Sequence, residues 1–123
     1  RPSELVFDGA NVWVSNYGSN DVTKLNANDG STIGRYSVGS FPLGIAFDGL
    51  SVWVANYGSN DVSKVSLNGS QVDTYPAGDS PVSLLFDGNN IWVTNVRSDD
   101  LMQLSVSDGS MLVTYSSAQP AVE

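Results

Sequence analysis

Three Phe-Asp-Gly turns place carboxylates at Asp8, Asp48 and Asp87. Like carboxylates brought to one rim can hold a hard cation. The plainer reading is an Asx-stabilised turn followed by glycine at positive φ, and the identical recurrence favours it. Two longer turns, Asn16-Tyr17-Gly18-Ser19-Asn20-Asp21 and Asn56-Tyr57-Gly58-Ser59-Asn60-Asp61, set a tyrosine among amide and carboxylate groups. Tyrosine is amphipathic and suits interfaces and carbohydrate sites. Tyr17, Asn20, Asp21, Tyr57, Asn60 and Asp61 are therefore candidate ligand-binding residues. The plainer alternative has Asn16 and Asp21 bonding the turn backbone while the tyrosine packs over it. A third version reads Asn95-Val96-Arg97-Ser98-Asp99-Asp100. Arg97 with Asp99 or Asp100 could take a carboxylate or a sugar, and Arg97 is expected to be the only base on its face. Drift, with a surface ion pair worth little, is the alternative.

The chemistry that composition excludes is equally informative. The 123 residues contain no Cys and no His, so thiolate nucleophiles, disulfides, Cys-based metal sites and the commonest general base are all missing. No catalytic residue, metal ligand or cofactor site is assigned. The net charge is −8, and the five cations Arg1, Lys24, Arg35, Lys64 and Arg97 are scattered. Nucleic acid and anionic membrane are thereby disfavoured as partners. Asn26 to Gly30 fails as a calcium loop, since its glycine comes one position early and no Glu stands at the twelfth position. Asn68-Gly69-Ser70 is a formal glycosylation sequon, meaningful only in a eukaryotic secretory cell. Apolar runs are far too short for a membrane helix, and the chain is expected to be soluble. It opens on Arg1 rather than Met, which is expected of a processed or excised form.

The elements that must position these turns are short strands. Gly, Ser, Asn and Asp cluster every 8 to 12 positions between β-branched and aromatic runs, the pattern of tight hairpins. No window carries apolar residues at helical spacing over three turns. The chain also repeats. Phe7-Asp8-Gly9 returns at Phe47 and Phe86, Trp13 at Trp53 and Trp92, and Tyr36 at Tyr75 and Tyr115. Between Phe7–Asn26 and Phe47–Ser66, 14 of 20 residues are identical, and between the second and third windows 9 of 20. The third copy has drifted. In the second copy strands are expected at 43–47, 51–56, 62–67 and 71–75. Tryptophans 13, 53 and 92, flanked by Val or Ile, belong to the core. Four strands in about 40 residues is the size of one propeller blade. The expected blades run over about 3–39, 42–78 and 81–117, within an all-β fold of up-and-down antiparallel sheets.

The segments from Val12 to Leu25 and from Val52 to Val65 resemble the YVTN-type β-propeller repeat, with kinship to NHL-type blades and to the virginiamycin B lyase-like propeller family. The resemblance implies the fold, and a secreted or periplasmic, bacterial-type location. The lyase family would also imply a His base and Glu ligands for magnesium. This chain has no His, and its only glutamates are Glu4 and Glu123. No catalytic position carries over.

Three blades leave two apolar faces open. At about 25 cal/mol per Å², even ~400 Å² of exposed apolar surface on each forgoes roughly 10 kcal/mol, comparable to a domain's stability. Propellers usually close with 4 to 8 blades, so a homodimer of six blades is expected, joined by strand complementation at an unpaired edge. Either the tail from Ser116 to Glu123 or the head from Arg1 to Glu4 would supply the pairing. The expected function is a non-catalytic binding or scaffold module that self-assembles into a ring, with a small molecule, carbohydrate or peptide as ligand. A lyase- or hydrolase-type propeller enzyme and a fragment of a longer propeller are the alternatives.

Overall fold

The computed structural model describes residues 1–116. It holds twelve strands in three antiparallel sheets of four. The first sheet is β1 (Pro2–Phe7), β2 (Asn11–Asn16), β3 (Asp21–Asn26) and β4 (Thr32–Ser37); the second is β5 (Pro42–Phe47), β6 (Ser51–Asn56), β7 (Asp61–Ser66) and β8 (Val72–Pro76); the third is β9 (Pro81–Phe86), β10 (Asn90–Asn95), β11 (Asp100–Ser105) and β12 (Met111–Ser116). Within each sheet the spatial order is the chain order. This is the up-and-down arrangement of β-propeller blades.

The turns are made by the residues that repeat. The Oδ1 of Asp8 accepts the backbone N–H groups of Ala10 and Asn11, and Gly9 takes φ +97. Its Oδ2 accepts the indole N–H of Trp13 at 2.8 Å. One carboxylate therefore closes the first hairpin and anchors the tryptophan of the second strand. Asp48 and Asp87 do the same for Trp53 and Trp92.

The sheets stack face to face, and each junction has two different sides. The Trp13 face of the first sheet, with Val22 and Tyr36, packs on Ile45, Val52, Val54 and Val65 of the second. The Trp53 face of the second, with Ala46, Val62 and Tyr75, packs on Ile91, Val93 and Leu104 of the third. Each junction is bolted by a lysine: Lys24 lies 5.3 Å over the Trp13 ring and donates to the Leu67 carbonyl at 2.6 Å, and Lys64 repeats this over Trp53 with Val106. Each also seats a tyrosine on a turn glycine. A Cβ at Gly69 would collide with the Tyr36 ring, and one at Gly109 with Tyr75. Gly39 and Gly78 are required for the same steric reason, because a Cβ there would meet the buried amides of Asn56 and Asn95.

The end sheets each keep one face uncovered. Leu5 is 69% exposed and Phe7 57%, although their counterparts Ile45 and Phe47 pack into the first junction. On the third sheet Leu85 is 62% and Tyr115 52% exposed. Beside them an apolar depression of about 240 Å³ is lined by Leu84, Leu85, Trp92 and Leu101. Of the three sheets, only the middle one has both faces covered. At the head, Pro2 to Glu4 belong to β1, paired with β2. Of the tail only Ser116 is described, as the end of β12; residues 117–123 lie outside the described residues.

Candidate functional site

Antiparallel order puts the β2–β3, β6–β7 and β10–β11 turns at one end of the stack, together with the linkers 38–41 and 77–80. Most of the candidate residues gather there. The Asp-Gly turns lie at the opposite end. Their carboxylates have both oxygens engaged by N–H donors, which is the turn role rather than the cation ring. The indole of Trp92 and then the amides of Asn90 and Asn89 hold Asp87 below the usual carboxylate range. At Asp8 partial burial works against ionisation, but the amide of Asn11, the Trp13 indole and the Ala10 amide outweigh it, and its pKa is also lowered. Among the described residues no three acidic side chains converge as metal ligands would.

Asp21, Asp61 and Asp100 are clasped inside their own sheets. Each accepts from an asparagine of the preceding strand: Asn16 to Asp21 at 2.8 Å, Asn56 to Asp61 at 2.8 Å and Asn95 to Asp100 at 2.7 Å. Ser19 and Ser59 add a second donor to Asp21 and Asp61. Asn16 and Asp21 were expected to bond the turn backbone; instead they bond each other through their side chains. Asn20 and Asn60 stand at φ 59. Their Oδ1 atoms reach across the junction to accept the amides of Phe41 and Ser80 at 2.9 and 2.8 Å.

Tyr17 and Tyr57 flank a depression of about 360 Å³ that spans all three sheets. Phe41, Asn60, Asp79 and Arg97 complete its wall. The Phe41 ring stacks on Tyr17 with centroids 4.8 Å apart. Phe41 is 43% exposed and sits at φ 54, a left-handed conformation that is costly for an aromatic residue. The Asn20 side chain and the Tyr57 amide, which donates to the Phe41 carbonyl, hold it there. The amide of Arg97 donates to the carbonyl of Asp79 at 3.1 Å, fixing both charged residues on one rim. Arg97 does not share this depression with Asp99 and Asp100, which line a separate one with Thr94, Val96 and Leu101. Nor is Arg97 the only base at this end, because the Arg1 guanidinium lies 5.6 Å over the Tyr17 ring.

Phe41 and Asp79 were missed from the sequence. The available signal was variation: Arg1, Phe41 and Ser80 occupy the same repeat position, each just before a proline, and Gly58 gives way to Arg97. The copies agree where a turn is being built and differ around the depression.

Among solved structures the chain is similar to hydrazine synthase of Kuenenia stuttgartiensis, with TM-score 0.83 and 21% identity over 92% of this chain and 35% of that one. It is similar to a streptogramin B lyase with TM-score 0.83 and 19% identity, over 97% of this chain and 41% of that one. A functionally unknown protein from Desulfotomaculum acetoxidans gives TM-score 0.72 and 16% identity, over 92% and 41%. The chain spans less than half the length of each. No family model and no curated protein matches the sequence. The three sheets are β-propeller blades, and the likeness to streptogramin B lyase agrees with the resemblance carried by the Val12 to Leu25 and Val52 to Val65 segments.

Proposed function

We propose that the chain is a non-catalytic β-propeller binding module whose blades complete a ring by self-association and whose ligand is taken at the linker end. The observation that carries this reading is the three-sheet depression, where an exposed ring in a costly conformation, two tyrosines and the Arg97 and Asp79 side chains line one space. That lining suits an acidic sugar. The apolar face of a pyranose stacks on Phe41, its carboxylate pairs with Arg97, and its hydroxyls bond to Asp79 and Asn60. Catalysis fits the residues poorly. No His is present, and the carboxylates of Asp8, Asp48 and Asp87 are spent on turns.

Calorimetric titration with glucuronic acid, glucose and a short neutral peptide tests the ligand class. Saturable binding of glucuronic acid, weakened at least tenfold in both Phe41→Ala and Arg97→Ala, is the expected result. Absence of binding by all three ligands refutes the depression as a site for this chemistry. A second reading, that the chain is one part of a longer propeller, is supported by its covering 35% to 41% of the structures it matches. In that case its own further blades cover the open faces.

A further inference from the structure

The uncovered faces of the two end sheets are the two halves of a junction the chain already makes twice. The face bearing Leu5, Phe7, Val12, Val14 and Leu25 corresponds, position for position, to Ile45, Phe47, Val52, Val54 and Val65, which the Trp13 face covers. The face bearing Leu85, Trp92, Leu101 and Tyr115 corresponds to Ala46, Trp53, Val62 and Tyr75, which cover the third sheet.

The fittings of the junction are present on both halves as well. Tyr36 sits on Gly69 and Tyr75 on Gly109; the third tyrosine, Tyr115, is 52% exposed, and the third turn glycine, Gly30, has φ +75 with nothing within 4 Å of the place its Cβ would take. Gly30 is thus a seat of the same shape without its ring. Asn20 and Asn60 accept the amides of Phe41 and Ser80. Asp99, at φ 52, stands where those asparagines stand, and Arg1 stands where Phe41 and Ser80 stand. By the same correspondence, Asp99 and the backbone nitrogen of Arg1 hold the two matching places on the open halves.

We propose that the occupant of both open faces is a second copy of this chain, docked head to tail, with Tyr115 of each copy seated on Gly30 of the other and Leu85 against Leu5. Two such seams close a ring of six blades, within the usual range for propellers. The proposal rests on the self-association reading above and not on the ligand, because one chain supplies the whole three-sheet depression.

The native mass of the 123-residue chain, measured by light scattering after size exclusion, is expected to be about 26 kDa, twice 13.0 kDa. A stable 13 kDa monomer, a trimer or an open polymer overturns the proposal. Leu5→Lys and Leu85→Glu alter side chains that are 69% and 62% exposed within one chain, so each variant is expected to fold and to run as a monomer. Mixed together, they are expected to form a one-to-one dimer. In that pair one seam joins lysine to glutamate and the other is wild type on both sides. Dimers of either variant alone, or no dimer on mixing, also overturn it. Sugar titration of the Leu5→Lys monomer reads the depression separately, so loss of the ring and loss of the ligand site are distinguishable.

Discussion

The middle sheet and the third sheet are built from the same forty-residue plan, yet they differ in what surrounds the same tryptophan. Trp53 is fully buried, tilted against Tyr75 at 5.8 Å and capped by Lys64. Trp92 keeps its stack on Tyr115 at 6.0 Å and its bond to Asp87, but it lines an open depression. Gln103 stands where Lys24 and Lys64 stand in the other sheets. The bond from aspartate to indole is made within each repeat, whereas the burial of the tryptophan is completed only by a neighbour.

The largest effect is expected from truncating the two tryptophans. Trp53→Ala is expected to cost about 3 to 5 kcal/mol in denaturant unfolding. In the ring of two copies proposed above, Trp92→Ala is expected to cost nearly as much, and less than half as much in the Leu5→Lys monomer. Equal costs in that monomer would show that burial by a neighbouring blade is not what separates the two sites. Next in size is the pair of turn glycines. Gly30→Ala is expected to cost about 1 kcal/mol for the left-handed backbone alone, read from the melting of the Leu5→Lys monomer. Gly69→Ala meets the same backbone cost and also displaces Tyr36, so its loss is expected to exceed that of Gly30→Ala by at least half.

Asn60→Ala removes the acceptor for the Ser80 amide, with an expected loss of about 1 kcal/mol. Asn60→Asp, which keeps an acceptor, should recover most of it. The smallest effect is acid sensitivity. Asp8, Asp29, Asp87 and Asp108 all have lowered pKa values in the folded chain. Depressed folded-state values mean that their contribution is fully present above the unfolded carboxylate pKa near 3.9 and is lost as pH falls through the lower folded values. Melting temperature is expected to be flat with respect to these groups above about pH 5 and to decline below about pH 4. A melting temperature unchanged down to pH 2 would contradict this.

Much of the fold was legible because turn residues and repeat spacing act locally. The strands expected at 43–47, 51–56, 62–67 and 71–75 differ from β5 to β8 by one residue at most boundaries. Trp13 and Trp53 were legible as core, whereas Trp92, expected there too, is half-buried on the uncovered face of the third sheet; the bond from each indole to the aspartate five residues earlier was not legible, since a turn aspartate is already explained by its backbone contacts. The site was legible in part. Tyr17, Tyr57, Asn60 and Arg97 line one depression, while Asp21, Asp61 and Asp100 serve the strand ends. Phe41 escaped notice because its side chain is aimed by a left-handed backbone that a sequence pattern does not display. Which blade faces meet was not legible either. Periodicity shows which residues alternate along a strand, but which faces meet depends on how the twisted sheets stack.

The seating of Tyr36 on Gly69 and of Tyr75 on Gly109, each in the following repeat, has a consequence for ancestry. A unit that carries a plug on one side and a socket on the other can be duplicated or deleted in frame without redesigning its neighbours, because every new boundary reproduces an old one. The chemistry of such a boundary is silent about how many units a gene should encode. That number is left to the angle at which successive units meet.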